Sequence, residues 1–262
     1  MNNKTENFNE EENVKSTSTI SIDSGYYLFN NDCLNILRDM KSNSVDLILT
    51  DPPYDIKNTK AGGNSKFNKS FQTVNDQLVS MNLVNGFNTE ILDEMVRVCK
   101  NINIMLFCNK AQLPFYMDYF VTKHGCSFDL IKWVKTNAVP TFKNKMLSDT
   151  EYCFYARKKG YCNPQSYEDA KTLYQAPINI RDKKFYGHPT IKPIDLLEKL
   201  VRNCSREGEV ILDPFMGSGS TGVAALNLNR KFVGIEIDSF FYDISKSRIK
   251  DSILKTNAPI AA

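Results

Sequence analysis

The sequence predicts an α/β chain with a mostly parallel sheet covered by helices on both faces. Three observations predict it. Short apolar runs rich in β-branched residues recur, as at Val45-Asp46-Leu47-Ile48-Leu49-Thr50, Ile102 to Cys108 and Val210-Ile211-Leu212; runs of this kind suit strands buried on both faces. Stretches with apolar residues at helical spacing lie between them. The third run leads into Asp213-Pro214-Phe215-Met216-Gly217-Ser218-Gly219-Ser220-Thr221-Gly222, then a helix, a strand and an acid. Strand, glycine turn, helix, strand, acid is a Rossmann-like, nucleotide-binding order.

A chain of 262 residues with 42% hydrophobic content fits one large domain with a real core. Residues 1–20 are polar, with Glu6, Glu10, Glu11 and Glu12 ahead of a Ser/Thr run, and read as a flexible arm. Residues 21–262 form the expected catalytic domain. No charged segment leads into an apolar core at the N-terminus, and no apolar run approaches bilayer-spanning length. Seven cysteines without a CxxC argue against a disulfide framework or a zinc site, and two histidines leave little for a His-rich metal centre. The expectation is a cytoplasmic protein with reduced thiols and no metal.

Tyr26 to Phe29 reads as a short strand. A helix follows, with Asp32 as its cap and Leu34, Leu37 and Met40 on one stripe. The strand 45–50 stops at Asp51-Pro52-Pro53-Tyr54, because proline removes a ladder donor and constrains the residue before it. Residues 56–76, with Gly62-Gly63 and many Asn, Ser and Lys, read as a mobile loop beside that strand end. Helical spacing of Ile91, Met95 and Val98 precedes the strand 102–108. A helix over 112–121 starts with Pro114 in its first turn. Strands are expected at 128–134 and 151–156, and an irregular region at 160–186. The segment Gly187-His188-Pro189-Thr190-Ile191-Lys192-Pro193 leads into a helix with Leu196, Leu197, Leu200 and Val201. After the strand 210–212, the expected order is helix 221–228, strand 232–237 carrying Glu236, and a last helix over 240–249.

Ligands of open α/β sheets bind at the carboxyl ends of the strands, where both Asp51 and Asp213 fall. Gly217 and Gly219 permit a tight turn and close backbone approach. Glu236 lies about twenty residues on, placed to accept hydrogen bonds from ribose hydroxyls. The turn is not GxGxxG, and no Gly-Lys-Thr/Ser closes it as in a P-loop. An acid at Asp213 would repel a pyrophosphate and suit a cationic ligand such as the amino group of a methionine moiety. That favours S-adenosyl-L-methionine over NAD. The plainer reading of Asp213 is a buried turn cap.

Asp51-Pro52-Pro53-Tyr54 suits transfer to a planar amino nitrogen. Such a nitrogen is a poor nucleophile, and acceptors on its two N–H groups favour a more tetrahedral form. The Asp51 carboxylate and the Pro52 carbonyl offer those acceptors, stiffened by Pro53, and Tyr54 offers a ring for stacking. A base served this way must leave the duplex. The plainer reading is a proline turn with Asp51 as cap and Tyr54 packed.

With these motifs the chain resembles the beta group of amino-methylating DNA methyltransferases, in which DPPY precedes the cofactor segment. The resemblance spans about residues 26–250. It implies a Rossmann-like AdoMet-dependent methyltransferase fold with a small target-recognition insertion. It implies catalytic roles for Asp51, Pro52, Pro53 and Tyr54. Cofactor contacts are implied for Asp32 beside the adenine, Asp51, Thr190 and Lys192 of the HPTxKP segment, Asp213, Phe215, Gly217, Ser218, Gly219 and Glu236. The family often has His-Glu where this chain has Thr150-Glu151. Asp as the first motif residue resembles adenine-N6 members, whereas cytosine-N4 members more often have Ser. The implied partner is double-stranded DNA; a homodimer and a cognate restriction endonuclease are further expectations, since some relatives pair.

From Lys132 to Lys184 eleven Lys/Arg face five acids, an excess larger than the whole chain's net charge of +3. This is the expected DNA footprint, with target recognition at 160–186. Trp133 and the turn Asn137 to Pro140 would border the flipped base, or Trp133 packs in the core. Two other readings use fewer of these motifs. A nucleotide-dependent oxidoreductase leaves DPPY unexplained, and a silent DNA-binding subunit would have no need of it. RNA and protein glutamine share the amino chemistry and rank below DNA.

Overall fold

The computed structural model describes residues 20, 22, 25–54, 88–138, 146–187 and 191–256. The arm up to residue 19, the 56–76 loop, Val139-Pro140 and His188-Pro189-Thr190 lie outside them.

Strand β1 (Tyr26–Asn30) leads to α1 (Cys33–Asp39), which Asp32 caps by accepting the Leu34 N–H at 2.8 Å. Next come β2 (Leu47–Thr50), α2 (Thr89–Val98) and β3 (Ile102–Cys108). Helix α3 (Leu113–Tyr116), with Pro in its first turn, widens into a π-helical stretch over Met117–Lys123. The antiparallel strands β4 (Ser127–Lys135) and β5 (Thr150–Lys158) follow. The region expected to be irregular carries α4 (Tyr167–Ala170), β6 (Leu173–Ala176) and α5 (Ile180–Tyr186). The chain closes with α6 (Ile194–Cys204), β7 (Val210–Asp213), α7 (Ser220–Asn227), β8 (Lys231–Glu236) and α8 (Ser239–Thr256).

Among the described residues the sheet runs β1-β8-β7-β2-β3-β5-β4-β6. All neighbours are parallel except β3/β5 and β5/β4, so the sheet is mostly parallel, as the sequence predicts. The period-2 alternation of side chains splits each central strand between two cores. Ile48, Ile104, Leu106 and Leu212 pack with α1 and α2, while Leu47, Leu49, Met105, Phe107 and Ile211 pack with α6, α7 and α8. No helix among the described residues is long and apolar enough to cross a membrane.

The decisive feature is the pairing of β7 with β2, Leu47 beside Ile211 and Ile48 beside Leu212. From β7 the chain winds to β8 on one side; from β2 it winds to β3 on the other. Between them the winding reverses, which opens a crevice at the carboxyl ends of the strands. Asp51 and Asp213, 162 positions apart in sequence, end these two strands.

Candidate active site

Thr50 and Asp213 join the two central strand ends. Asp213 is buried, and its Oδ1 accepts the Thr50 hydroxyl at 2.6 Å and the Phe215 N–H at 3.2 Å. Burial pushes this carboxyl up to about 6 despite the hydroxyls of Thr50 and Thr221. The geometry is that of a buried cap. It has a consequence for stability. The folded chain keeps the Asp213 proton up to about pH 6, whereas an unfolded Asp releases it near about pH 4. Stability is therefore expected to fall as pH rises through that window, by about 2–3 kcal/mol from this group. Asp213→Asn should flatten the dependence, read from urea unfolding midpoints between pH 4 and 7. An unchanged curve would remove Asp213 as its source.

Beyond Asp213 the chain turns through Gly217 (φ +52°) and Gly219 (φ +78°), a region costly for other residues, and Gly219 leads directly into α7. At Gly219 a Cβ would also lie 3.0 Å from the Ser245 Cβ. The Glu236 carboxylate braces the turn: Oε2 accepts the Gly217 N–H at 2.7 Å and Oε1 the Asp238 N–H at 2.9 Å. Burial raises the proton affinity of Glu236 despite these bonds. The adjacent strand end carries Asp32; there Asn30 donates to the Glu236 carbonyl at 2.8 Å, and so does the Asn31 N–H at 3.1 Å. The structure thus brings Asp32, Glu236 and the Phe215–Gly219 turn to one edge of the sheet.

On the other side of the crevice is a network of buried charges. Lys192, 5% exposed, forms an ion pair with Asp51 and lies 3.3 Å from Glu151, which in turn pairs with Lys135 at 2.5 Å. The Lys192 ammonium also sits 4.9 Å from the Phe107 ring centroid and 5.9 Å from that of Tyr54. Burial opposes its charge, but Asp51 and then Glu151 outweigh burial and hold the ammonium above its usual range. Burial likewise pushes Glu151 up, yet Lys192 and Lys135 bring it down to about 2. For Asp51 burial wins over Lys192, so its carboxyl is raised. Its Oδ1 and the Tyr54 hydroxyl are buried facing each other, and neither meets the hydrogen-bond geometry with any other described residue. Gln112, also buried, steadies the turn: Nε2 donates to the Pro53 carbonyl at 3.3 Å, and Oε1 accepts the Asn109 N–H at 3.1 Å.

An acceptor buried without its donor is unusual, because desolvating it costs free energy that only an incoming partner returns. The crevice therefore presents a buried carboxylate oxygen beside an aromatic hydroxyl, at a strand end tied through Thr50 to Asp213, whose strand leads into a glycine turn braced by Glu236. Such a set fits a ligand with a sulfonium, an ammonium and ribose hydroxyls on one side and an amino group on the other.

A family model described as DNA methylase, covering the N6 and N4 enzymes, matches residues 45–247. The chain belongs to this family. The DNA methyltransferase is 27% identical over 245 residues to the type II methyltransferase M2.MboI of Moraxella bovis, covering 87% of this chain and 89% of that one. It is 29% identical over 241 residues to M2.DpnII of Streptococcus pneumoniae, covering 85% and 89%. Among solved structures it resembles the M1.HpyAVI–SAM complex, with TM-score 0.61, 26% identity, and coverage of 86% and 98%. PvuII DNA methyltransferase, cytosine-N4-specific, shares the fold at TM-score 0.61 and 17% identity, covering 89% and 93%. S-adenosyl-L-methionine is the cofactor of the methyltransferase, in keeping with the donor set at the glycine turn.

Several residues of this site were not selected from the sequence. Glu151 drew notice as the start of a strand, as one of five acids between Lys132 and Lys184, and beside the family departure at Thr150; its signal was a charge within the aromatic strand β5. Lys135 was counted toward the DNA footprint but faces Glu151 instead. Gln112 and Thr50 carried no signal. Trp133 is core-packed, with its ring N–H donating to the Ala176 carbonyl at 3.1 Å. Thr190 lies outside the described residues.

Proposed function

We propose that the methyltransferase modifies the N6 amine of adenine, flipped out of double-stranded DNA at a specific site. The observation that carries this reading is the buried Asp51 Oδ1, engaged by no described residue other than the adjacent Tyr54, with Asp rather than Ser opening the motif.

S-adenosyl-L-methionine, when bound, supplies an electrophilic methyl group on a sulfonium. The chain's own residues prepare the acceptor. Asp51 Oδ1 accepts one N–H of the exocyclic amine and the Pro52 carbonyl accepts the other, drawing the nitrogen lone pair out of the ring. Tyr54 stacks on the base. Because burial raises its proton affinity, Asp51 is also suited to hold the proton the nitrogen loses. Lys192 opposes that rise in proton affinity and ties the turn to β5 through Glu151. Much of the rate gain comes from positioning and fixed electrostatics. At the cofactor end Asp32 and Glu236 serve the adenosine, with Phe215, Gly217, Ser218 and Gly219 forming the wall. Asp213 adds negative field beneath it. Glu236→Ala should weaken cofactor binding first, by about tenfold or more, since each hydrogen bond to a charged group contributes about 1.5–3 kcal/mol. An unchanged dissociation constant in calorimetry would remove Glu236 from this set.

The relatives named type II methyltransferases support a place in restriction–modification, with a sequence-specific endonuclease as functional partner. The test uses labelled cofactor and unmethylated genomic DNA, digested to nucleosides and resolved by mass and chromatography. N6-methyladenine is expected. N4-methylcytosine would keep the mechanism and change the base, a reading favoured by the fold shared with the cytosine-N4-specific PvuII enzyme. Labelled RNA or protein with unlabelled DNA would overturn the proposal.

A further inference from the structure

Arg248 of α8 takes no part in the chemistry above, yet its guanidinium is buried, 6% exposed. Nη1 donates to the Ser218 carbonyl at 3.2 Å, to the Ser218 hydroxyl at 3.2 Å and to the Ser220 hydroxyl at 2.8 Å. Nη2 lies 3.7 Å from the Asp182 carboxylate, and the guanidinium carbon 4.5 Å from the centroid of the Tyr186 ring. One planar cation therefore grips the glycine turn with one edge and α5 with the other. A guanidinium does this with fixed geometry, which an ammonium cannot copy.

The other end of that grip is α5. None of the residues of α5 is buried. Asp182 and Tyr186, four apart, share the stripe turned to Arg248. Arg181, Lys184 and Phe185 share a different stripe and are exposed, Phe185 at 79%. Two cations and an aromatic ring suit a phosphate backbone and an unstacked base. Lys183, between the stripes, feels the charges at the Asp51 cluster: burial first, partly offset by Glu151, brings its ammonium down to about 8. The helix thus borders the catalytic side of the crevice while resting on the cofactor side.

We propose that Arg248 is a positioning residue that couples the two ligands: by holding α5 on the cofactor turn, it makes an ordered turn favour a DNA-ready α5, and the reverse. This rests on the DNA methyltransferase reading and adds to it a route by which cofactor and DNA reinforce each other's binding. Linkage requires the factor to be the same in both directions.

The test measures that factor. Cognate duplex affinity is determined by anisotropy with and without S-adenosylhomocysteine, and S-adenosylhomocysteine affinity by calorimetry with and without duplex. The wild type is expected to show mutual tightening of about tenfold, within the usual range of coupling energies. Arg248→Met should reduce it to about one, and Arg248→Lys should restore little. The double variant Asp182→Asn/Tyr186→Leu releases only the α5 end. It should lose the coupling while binding S-adenosylhomocysteine without DNA within about twofold of wild type. If Arg248→Met does not fold, this variant decides. Full coupling in it, with or without a lowered melting temperature, would reduce Arg248 to a structural brace and overturn the proposal. Absence of coupling in a wild type that methylates DNA would overturn it as well. A wild type that neither binds nor methylates DNA would overturn the underlying functional reading together with it.

Discussion

Asp51→Ala is expected to lower the single-turnover rate of methyl transfer by about 10³-fold or more, while cofactor affinity stays within a few-fold of wild type. The rate estimate follows from removing a fixed acceptor at the reacting nitrogen, where one such group contributes about 10²–10³; loss of the carboxylate also removes the atom suited to hold the departing proton. Cofactor affinity should survive because Asp32, Asp213, the Phe215–Gly219 turn and Glu236 lie at or just beyond the ends of β1, β7 and β8, on the other side of the crevice. The fold should survive too. Lys192 keeps Glu151 at 3.3 Å, so its charge is not left alone. Asp51→Asn preserves shape and separates the loss of charge from the loss of bulk; it should remain at least about 10²-fold slow. Rapid-quench transfer assays and calorimetry check both halves. A cofactor affinity that falls in step with the rate would assign Asp51 to binding instead of chemistry.

Lys192→Met should damage both stability and activity. Removing one partner of a buried pair leaves the other uncompensated, at a cost of about 3–5 kcal/mol, here lessened because Glu151 retains Lys135. The activity effect has a definite sign. Transfer needs ionised Asp51, so the rate is lost as pH falls through its pKa. Burial already raises that pKa, and Lys192 is the largest influence opposing it. Without the ammonium, Asp51 keeps its proton to higher pH, and the acid limb of the rate profile moves up. The variant should be slow at neutral pH and recover part of its rate in alkaline buffer. An acid limb at the wild-type position would show that Lys192 does not govern Asp51.

The two motifs were legible because their chemistry is local. Proline after Asp51 and glycine after Phe215 impose backbone conformations whatever surrounds them, and the apolar runs before them are too continuous for a surface strand. The region 160–186 was not legible in the same way. Strand β6 is four residues long and owes its existence to pairing with β4, and α5 has no apolar stripe because none of its residues is buried. Neither leaves a periodic trace.

By itself the sequence determined the α/β class, the order of its elements outside 160–186, and the two strand ends that carry Asp51 and Asp213. It could do so because hydrophobic period and turn chemistry act over a few residues. Only the tertiary structure decided which charges meet. Lys192 was expected beside the cofactor, and the fold pairs it with Asp51 and Glu151. Lys135 was read as a surface cation and closes that network, while Arg248 joins two segments it does not neighbour in sequence. Burial and the approach of distant side chains set these partners, and both come from the pairing of β2 with β7 and of β3 with β5. A charge pattern along the chain carries no record of either.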